Sequence, residues 1–307
     1  MILVTGATGF IGSEVLRRAS RRGWRARGLA RRPDRAEELG RLPHVELFRG
    51  DITDADDLDE ALEGVAAVIH LVGIIAPTRE QGFEEAHVGG TRNVLAAAAR
   101  GRVPRFVHMS ALGTPEGRDL TPYFRTKWEA EEAVRESGLS TTIFRPAPVF
   151  GRESALFGPL ARASRWSPVL PLPSGGRQSL QPVWVGDVAE CFLQATRMER
   201  SPEPVYEAGG PEVLELREVV GQLAEAMGRR RPAILPLPMG PLALLAWLGE
   251  KALPRPPFTA DQLRMLALES TVVPDSIRAL RRDFEIEHAR LADKAPDWFR
   301  KPRGERP

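Results

Sequence analysis

Short apolar runs alternate with amphipathic helical patterns over the first half of the chain. We predict strands at 1–5, 24–30, 45–48, 66–72, 106–110 and 141–145. Helices are predicted between them at 10–22, 54–63, 83–100 and 121–137, with Thr53 and Thr121 as caps of the second and fourth. Such alternation requires parallel strands joined by crossover helices, and continuously apolar strands indicate a sheet covered on both faces. The pattern therefore predicts an α/β fold with a Rossmann-type, doubly wound parallel sheet.

The alternation breaks after residue 145, where prolines interrupt the chain. A strand at 183–185 leads into a helix at 187–197, and a further strand is expected near 205–207. From about 216 the chain is predicted to be mainly helical, with proline-rich connectors at 231–238 and 253–257. We expect a Rossmann domain over 1–150, onto which 183–200 packs back. Residues 151–182 and 201–307 are expected to form a smaller, mainly helical substrate-side region.

A glycine-rich turn joins the first strand to the first helix. Gly6 permits a sharp turn, Gly9 lets the backbone approach a pyrophosphate, and Gly12 allows the helix to pack closely on the strand. Free N–H groups at the helix N-terminus stabilise the phosphate charge. The turn predicts a bound dinucleotide, and its cofactor-binding residues are Gly6, Thr8, Gly9, Phe10, Ile11 and Gly12.

The end of the second strand bears on which dinucleotide binds. An NAD site places an acidic residue there, whereas an NADP site places arginine near the 2′-phosphate. Arg31 and Arg32 follow the strand with no acid at its end, which favours NADP and leaves NAD as the alternative. Asp51 and Ile52, after the third strand, are positioned to reach the adenine; the alternative is a helix-capping turn.

Tyr123 and Lys127 are four residues apart on a predicted helix and therefore share a face. A tyrosine so placed can exchange a proton with a substrate oxygen. A neighbouring ammonium is expected to lower the pKa of the tyrosine and to bind the nicotinamide ribose. The pair is unusual because the chain has two tyrosines and, among 43 basic residues, four lysines.

These features resemble the short-chain dehydrogenase/reductase superfamily, in particular its extended and atypical branches. The resemblance covers about residues 1–210 and includes segments 70–73, 90–95, 144–151 and 184–189 in addition to the glycine turn and the Tyr–Lys pair. Segments 106–110, 181–185 and 258–262 are most similar to the subgroup that contains the NAD(P)-binding accessory subunit of mitochondrial complex I and its bacterial relatives. The resemblance implies further cofactor contacts from Leu71, Val72, Gly73, Lys127, Pro146 and Val149.

Two positions depart from the pattern of the superfamily. Ala111 occupies the position where extended members usually carry Ser or Thr, so Ser110 is the candidate substitute. His87 stands where an Asn is usual; it either joins a proton relay or packs as a polar residue. The leading interpretation is an NADP(H)-binding oxidoreductase-like protein that transfers hydride between nicotinamide and a carbonyl or alcohol. The alternatives are a non-enzymatic cofactor-binding scaffold or assembly subunit, and a sugar-nucleotide epimerase or dehydratase.

Composition narrows the class of protein. With 42% hydrophobic and 27% charged residues the chain is globular, and its net charge of +2 does not indicate nucleic acid as a partner. Cys191 is the sole cysteine, so no intrachain disulfide forms, and no metal site is expected. The chain opens on a strand pattern instead of a secretory signal, which predicts a cytoplasmic location.

The stretch 239–249 is apolar nearly all round. One interpretation is a buried or oligomer-facing helix. The other is a lid over an apolar small-molecule substrate, or a contact with a membrane surface or a large complex. The oligomeric state is left open.

Overall fold

The structure is a computed structural model that describes residues 1–77, 81–252, 259–267 and 270–299. Thirteen β-strands lie within these residues. They are β1 (Ile2–Thr5), β2 (Ala26–Ala30), β3 (Val45–Arg49), β4 (Ala67–His70), β5 (Arg105–Met109), β6 (Thr141–Pro146), β7 (Val149–Phe150), β8 (Val169–Pro173), β9 (Ser179–Leu180), β10 (Val183–Trp184), β11 (Val205–Ala208), β12 (Leu214–Glu215) and β13 (Ala233–Leu237).

The same part of the chain contains thirteen α-helices. They are α1 (Phe10–Arg21), α2 (Glu37–Gly40), α3 (Ala55–Ala61), α4 (Gly90–Arg100), α5 (Thr114–Gly117), α6 (Pro122–Glu136), α7 (Phe157–Trp166), α8 (Val185–Ala195), α9 (Leu216–Ala226), α10 (Met239–Ala252), α11 (Ala260–Ala267), α12 (Pro274–Phe284) and α13 (Leu291–Phe299). A π-helical stretch over Glu84–Gly89 precedes α4, and 3₁₀ turns occupy Pro33–Ala36 and Ser174–Gly176.

Seven parallel strands form the main sheet, in the order β11-β6-β5-β4-β1-β2-β3. The strand order reverses between β1 and β4, so the carboxyl ends of these two strands flank the topological switch point. In doubly wound sheets the ligand crevice lies at this point. The predicted Rossmann-type fold is confirmed.

Apolar residues of the central strands meet three helices in one buried cluster. The strands contribute Leu3, Val68 and Phe106, and the helices α3, α4 and α6 contribute Leu58, Val94 and Val134. Burial of this surface, at about 25 cal/mol for each Å², is the main force that holds these helices on the sheet. The cluster thereby fixes α6, the helix that carries the candidate catalytic pair.

The chain divides into two compact units. The first consists of Met1–Pro146, Gly186–Ala208 and Val273–Ile286. The second consists of Ala147–Val185, Gly209–Val272 and Glu287–Pro307. From the sequence, all of 201–307 was expected in the smaller region. In the structure, 201–208 and 273–286 belong to the first unit instead.

The difference has a packing cause. β11 joins the main sheet beside β6, and α12 packs on it through Phe284. The Phe284 ring lies 5.4 Å from the ring of Phe144 and 5.0 Å from that of Tyr206. The Tyr206 hydroxyl donates a hydrogen bond to Asp283 over 2.8 Å. Residues distant in sequence therefore complete the first unit.

The second unit has a hydrophobic core of its own. β8 pairs with β13 and β7 with β10, each in parallel, while β9 pairs with β12 antiparallel. α7, α9 and α13 pack together over Phe157, Leu223 and Leu291. The proline-rich connector predicted at 231–238 thus contains a strand, since in a two-stranded sheet prolines can occupy the unpaired edge.

Two further local predictions are corrected. The N-cap of α3 is Asp54, whose carboxylate accepts a hydrogen bond from the Asp56 N–H, and not Thr53. The helix predicted over 83–100 opens as a π-helix and becomes an α-helix only at Gly90. The predicted cap of α6 is confirmed, because the Thr121 hydroxyl accepts from the Phe124 N–H.

A membrane-spanning helix is not found among the described residues, where none is both long and apolar enough. The cytoplasmic location stays a prediction. The connector predicted at 253–257 lies outside the described residues, and the similarity noted at 258–262 falls partly outside them.

Candidate active site

The glycine turn after β1 has the compact geometry that the sequence predicts. Gly6 has a φ of +67°, and its carbonyl oxygen accepts a hydrogen bond of 3.0 Å from the Gly9 N–H. A Cβ on Gly12 would overlap that same carbonyl oxygen and lie 2.9 Å from the Cα of Ala7. The turn thus brings the N-terminus of α1 close to β1 with no side chain in between. This fits a dinucleotide pyrophosphate on the exposed N–H groups.

The chain that leaves β4 runs directly beside this turn. A Cβ on Gly6 would lie 3.1 Å from the carbonyl carbon of Leu71 and from the nitrogen of Val72. Gly6 is therefore required both by its positive φ and by this backbone contact. Leu71, Val72 and Gly73 border the predicted cofactor site from the β4 side.

The arginines after β2 are exposed. Arg31 and Arg32 follow the last residue of the strand, where their guanidinium groups reach solvent. The only described side-chain hydrogen bond of Arg31 is a long one, 3.4 Å from Nη1 to Gln81. Both side chains are thus free of strong ion pairs in the described part of the chain.

Asp51 and Ile52 have structural roles in the turn after β3. The Asp51 carboxylate accepts from the Thr53 N–H over 3.0 Å, while its own N–H donates to Asp57. Ile52 is buried, and its carbonyl accepts from Asn93 over 3.0 Å. These bonds shape the turn that leads into α3, whose N-cap is Asp54, and adenine contact by Asp51 or Ile52 stays a prediction.

Tyr123 and Lys127 lie on the buried face of α6. Their exposed fractions are 8% and 2%. Lys127 Nζ donates a hydrogen bond of 3.0 Å to the carbonyl oxygen of Met109, at the end of β5. A Cβ on Gly73 would lie 2.9 Å from the same Nζ, so the ammonium touches the backbone that follows β4. The ammonium thus reaches the ends of two adjacent strands at the ligand edge of the sheet.

The pKa values of the pair correct one expectation. Burial raises the pKa of Tyr123 to about 12, so the tyrosine is protonated at neutral pH. Burial also lowers the pKa of Lys127 to about 8, against the attraction of Glu131, which raises it. From the spacing alone, the Lys127 ammonium is expected to lower the pKa of Tyr123. In the structure the loss of hydration of the phenolate outweighs any such effect.

Ser110 is buried at the end of β5, but its described partners are not the catalytic pair. Its hydroxyl lies 3.2 Å from the Thr114 hydroxyl and also hydrogen-bonds Glu131. Extended members of the superfamily usually carry Ser or Thr where this chain has Ala111. That Ser110 takes over the role of this hydroxyl stays a prediction. The structure directs its hydroxyl to α5 and α6.

Glu131 and Arg145 form a buried ion pair that sequence reasoning missed. Arg145 Nε and Nη2 donate to the two carboxylate oxygens of Glu131 over 2.9 and 2.7 Å. Burial opposes ionisation of Glu131, but the bonds from Arg145 and Ser110 and the charge of Arg135 together lower its pKa. One signal was available: Glu131 follows Lys127 by four positions, which places an acid on the buried stripe of the helix.

Two predicted cofactor residues come from the chain after β6. Pro146 is the last residue of that strand, and its carbonyl accepts a 3.0 Å hydrogen bond from the Leu112 N–H. Val149 lies in β7, which belongs to the second unit. Cofactor contact by either residue stays a prediction.

Residues 2–209 match the NAD dependent epimerase/dehydratase family. The chain belongs to this family. The resemblance seen in the sequence is thereby confirmed, and membership supports binding of a nicotinamide dinucleotide without distinguishing NADP from NAD.

The relatives include a subunit of a respiratory enzyme and a reductase. The mitochondrial NADH-ubiquinone oxidoreductase 40 kDa subunit of Neurospora crassa is 27% identical over 296 residues, which cover 94% of this chain and 76% of that protein. The (4-alkanoyl-5-oxo-2,5-dihydrofuran-3-yl)methyl phosphate reductase of Streptomyces griseus is 34% identical over 231 residues, or 75% of this chain and 74% of that protein. Among solved structures, the crystal structure of gox2253 has 27% identity and a TM-score of 0.76, with 97% of each chain covered.

The glycine turn supplies a direct test of the dinucleotide site. Gly12→Ala places a methyl group against the Gly6 carbonyl, so the turn must shift away from its compact form. We expect the dissociation constant for NADPH to rise about tenfold or more, equivalent to a loss of about 1.4 kcal/mol. Calorimetric titration measures it.

Gly40→Ala is the matched control, since its Cβ would meet nothing closer than a Leu47 methyl group at 3.6 Å. Dinucleotide affinity that is equal in Gly12→Ala, Gly40→Ala and the parent protein would refute a pyrophosphate site at this turn.

Proposed function

We propose that the protein is an NADPH-dependent reductase of a carbonyl compound, with Tyr123 as proton donor. The observation that carries the proposal is the burial of Tyr123 and Lys127 together on α6, at the edge of the sheet where the glycine turn lies. The resemblance to a reductase of Streptomyces griseus supports a reductive reaction.

The protonation states of the pair suit reduction. A tyrosine with a pKa of about 12 keeps its proton at neutral pH and can give it to a carbonyl oxygen as that oxygen gains negative charge. Bound NADPH supplies the hydride for the carbonyl carbon. In this proposal the Lys127 ammonium stabilises the tyrosinate that is left and also binds the hydroxyls of the nicotinamide ribose.

Selection of NADPH is assigned to the arginines after β2. Arg31 and Arg32 are exposed and carry no acid–base partner in the described residues, so they can pair with a 2′-phosphate. An acidic side chain at this strand end would instead accept from the ribose hydroxyls of NAD.

The substrate is proposed to be a small carbonyl compound with apolar groups. Ala111 offers a methyl group where a hydroxyl would bind a substrate oxygen, and Ser110 is engaged by Thr114 and Glu131. A sugar nucleotide, which presents many hydroxyls, is less well matched by this strand end than a compound with one reacting oxygen. Epimerase or dehydratase activity is therefore the weaker proposal.

A second candidate function is favoured by a different observation. On α10 the side chains of Leu244, Trp247 and Leu248 are 57%, 45% and 47% exposed, although they are spaced as one helix face. An exposed apolar face is typical of a protein contact, and one relative is a subunit of NADH-ubiquinone oxidoreductase. The alternative proposal is a cofactor-retaining subunit that uses 239–249 to join a larger assembly.

The cofactor assignment predicts a preference that calorimetry can measure. NADPH should bind about tenfold or more tightly than NADH, because charge-assisted hydrogen bonds to a phosphate contribute about 1.5–3 kcal/mol. The double variant Arg31→Ala/Arg32→Ala should lose the preference while its affinity for NADH is kept. Arg35→Ala, which removes a nearby exposed arginine, is the control and should behave as the parent protein. Equal affinities of the parent for the two cofactors would overturn the NADP assignment.

The catalytic assignment predicts that Tyr123→Phe lowers turnover by about 10²-fold or more, the scale of a lost general acid. Its NADPH affinity should stay within a few-fold, because the hydroxyl acts on the substrate. Lys127→Met should weaken cofactor binding and turnover together. Single-turnover oxidation of bound NADPH with a panel of aldehydes, ketones and quinones measures the reaction.

Controls for both substitutions exist in the chain. Tyr206→Phe removes the other tyrosine hydroxyl, which bonds Asp283, and Lys251→Met removes an exposed lysine that lies over Trp247. Both should leave turnover within a few-fold of the parent. If no acceptor oxidises bound NADPH and Tyr123→Phe matches its parent in every respect, the reductase proposal is wrong and the subunit proposal takes its place.

A further inference from the structure

His87 lies in the π-helical stretch Glu84–Gly89, one turn before α4, and its exposed fraction is 1%. A π-helical turn inserts one residue into the helix and re-aims its neighbours, and such turns are frequent at functional sites. Here the turn brings His87 against Tyr123: the two rings are 5.6 Å apart and nearly perpendicular. The imidazole therefore touches the catalytic helix.

Hydrogen bonds determine which nitrogen of His87 carries the proton. The Ile74 N–H donates to Nε2 over 3.0 Å, so Nε2 is the unprotonated nitrogen. Nδ1 then carries the hydrogen and donates to the Thr126 hydroxyl, 2.8 Å away. That hydroxyl in turn shares its one hydrogen between the carbonyl oxygens of Pro122 and Tyr123, at 2.9 and 3.0 Å. Each of these hydrogen bonds therefore has a defined donor and acceptor. They run from the Ile74 N–H through His87 and Thr126 to the two carbonyl oxygens.

This chain of bonds connects two parts of the site. Ile74 follows Gly73, and a Cβ on Gly73 would lie 2.9 Å from Lys127 Nζ and 3.6 Å from His87 Nε2. The backbone after β4 is therefore held between the imidazole and the ammonium. Thr126 and the two carbonyls belong to the first turn and a half of α6, which carries both Tyr123 and Lys127.

Burial keeps the imidazole neutral. It lowers the pKa of His87 to about 2, and the positive charge of Lys127 lowers it further. Glu84 and Glu85 share the π-helical stretch, but both are exposed. Protonation would also break the Ile74 hydrogen bond, because Nε2 could no longer accept.

We propose that His87 is a positioning residue, a neutral clamp in a single tautomer that holds the Gly73–Ile74 backbone and the catalytic helix at a fixed separation. It transfers no proton during the reaction; it determines where Tyr123 and Lys127 lie relative to the strand end that borders the cofactor. The inference rests on the proposed function for its consequence on turnover. It also assigns a role to the residue that replaces the usual Asn of the superfamily.

The tautomer is tested in the unmodified protein by ¹⁵N NMR of its histidines, with His87→Gln used to assign the signal. The clamp predicts a neutral imidazole with hydrogen on Nδ1 and no titration from pH 5.5 to 9. Titration of His87 within this range, or hydrogen on Nε2, would overturn the proposal. The measurement needs no enzymatic turnover, so it stands even if the reductase proposal fails.

The coupling to the catalytic helix is tested with a matched pair at Thr126. Thr126→Val removes the hydroxyl with little change in shape, whereas Thr126→Ser keeps it. We expect Thr126→Val to lower kcat about tenfold or more with KM little changed, since small misplacements of reacting groups have effects of this size. Thr126→Ser should restore kcat to within a few-fold of the parent. Wild-type kcat in Thr126→Val would refute the clamp.

The pH profile separates positioning from proton relay. In Thr126→Val the curve of kcat against pH should keep its shape and lose only amplitude, because the titrating groups are unchanged. A relay through His87 and Thr126 predicts loss of one limb of the profile, and that result would contradict the proposal. If the parent protein shows no turnover at all, NADPH affinity replaces kcat: the clamp predicts weaker binding in Thr126→Val than in Thr126→Ser, and equal binding would contradict it.

Discussion

Burial of the positive charge of Lys127 is the constraint on which the rest of the candidate site depends. Transfer of a lysine ammonium from water to a protein interior costs several kcal/mol (roughly, after relaxation) unless partners replace its hydration. Here the carbonyl oxygen of Met109 is a direct partner. Glu131, one turn further along α6, adds an attraction that raises the lysine pKa. Gly73 has no side chain where the ammonium touches the backbone.

Burial, together with the same charge, keeps two neighbouring histidines neutral. Burial and the Lys127 charge lower the pKa of His70 to about 3 and that of His87 to about 2. Both imidazoles form hydrogen bonds with threonine hydroxyls, His70 with those of Thr5 and Thr91 at 2.7 and 3.0 Å and His87 with that of Thr126 at 2.8 Å. These histidines and threonines are thus neutral hydrogen-bonding groups, and Glu131 is the charged neighbour of the ammonium. Tyr123 keeps its proton in the same environment, which suits a proton donor better than a base.

Much of the first unit was predictable because its signals are local. Each signal is carried by a few adjacent residues: a continuous apolar strand, the glycine turn, or the Tyr–Lys spacing. The structure agrees with all three, in the order of the parallel strands, in the geometry from Gly6 to Gly12, and in the buried face of α6 that Tyr123 and Lys127 share. The fold does not determine whether NADP or NAD binds, because the side chains of Arg31 and Arg32 are both exposed.

The features that were missed depend on contacts between distant residues. α12 joins the first unit through Phe284, which packs on Phe144 and Tyr206, and neither its helical pattern nor its composition indicates that partner. Arg145 finds Glu131 only after β6 and α6 are assembled. The direction of the Tyr123 pKa was predicted wrongly because the sequence shows the nearby cation but not the depth of burial, which has the larger effect.

The scarcity of lysine makes the central claim directly measurable. With four lysines in the chain, a ¹³C spectrum of their Cε methylenes followed against pH is simple to assign by comparison with Lys127→Met. A buried ammonium at Lys127 predicts one resonance that titrates with a pKa of about 8 and is missing from the variant. Titration of all four lysines near the ordinary value of about 10.4 would contradict a buried charge at this position, and with it the arrangement of the site.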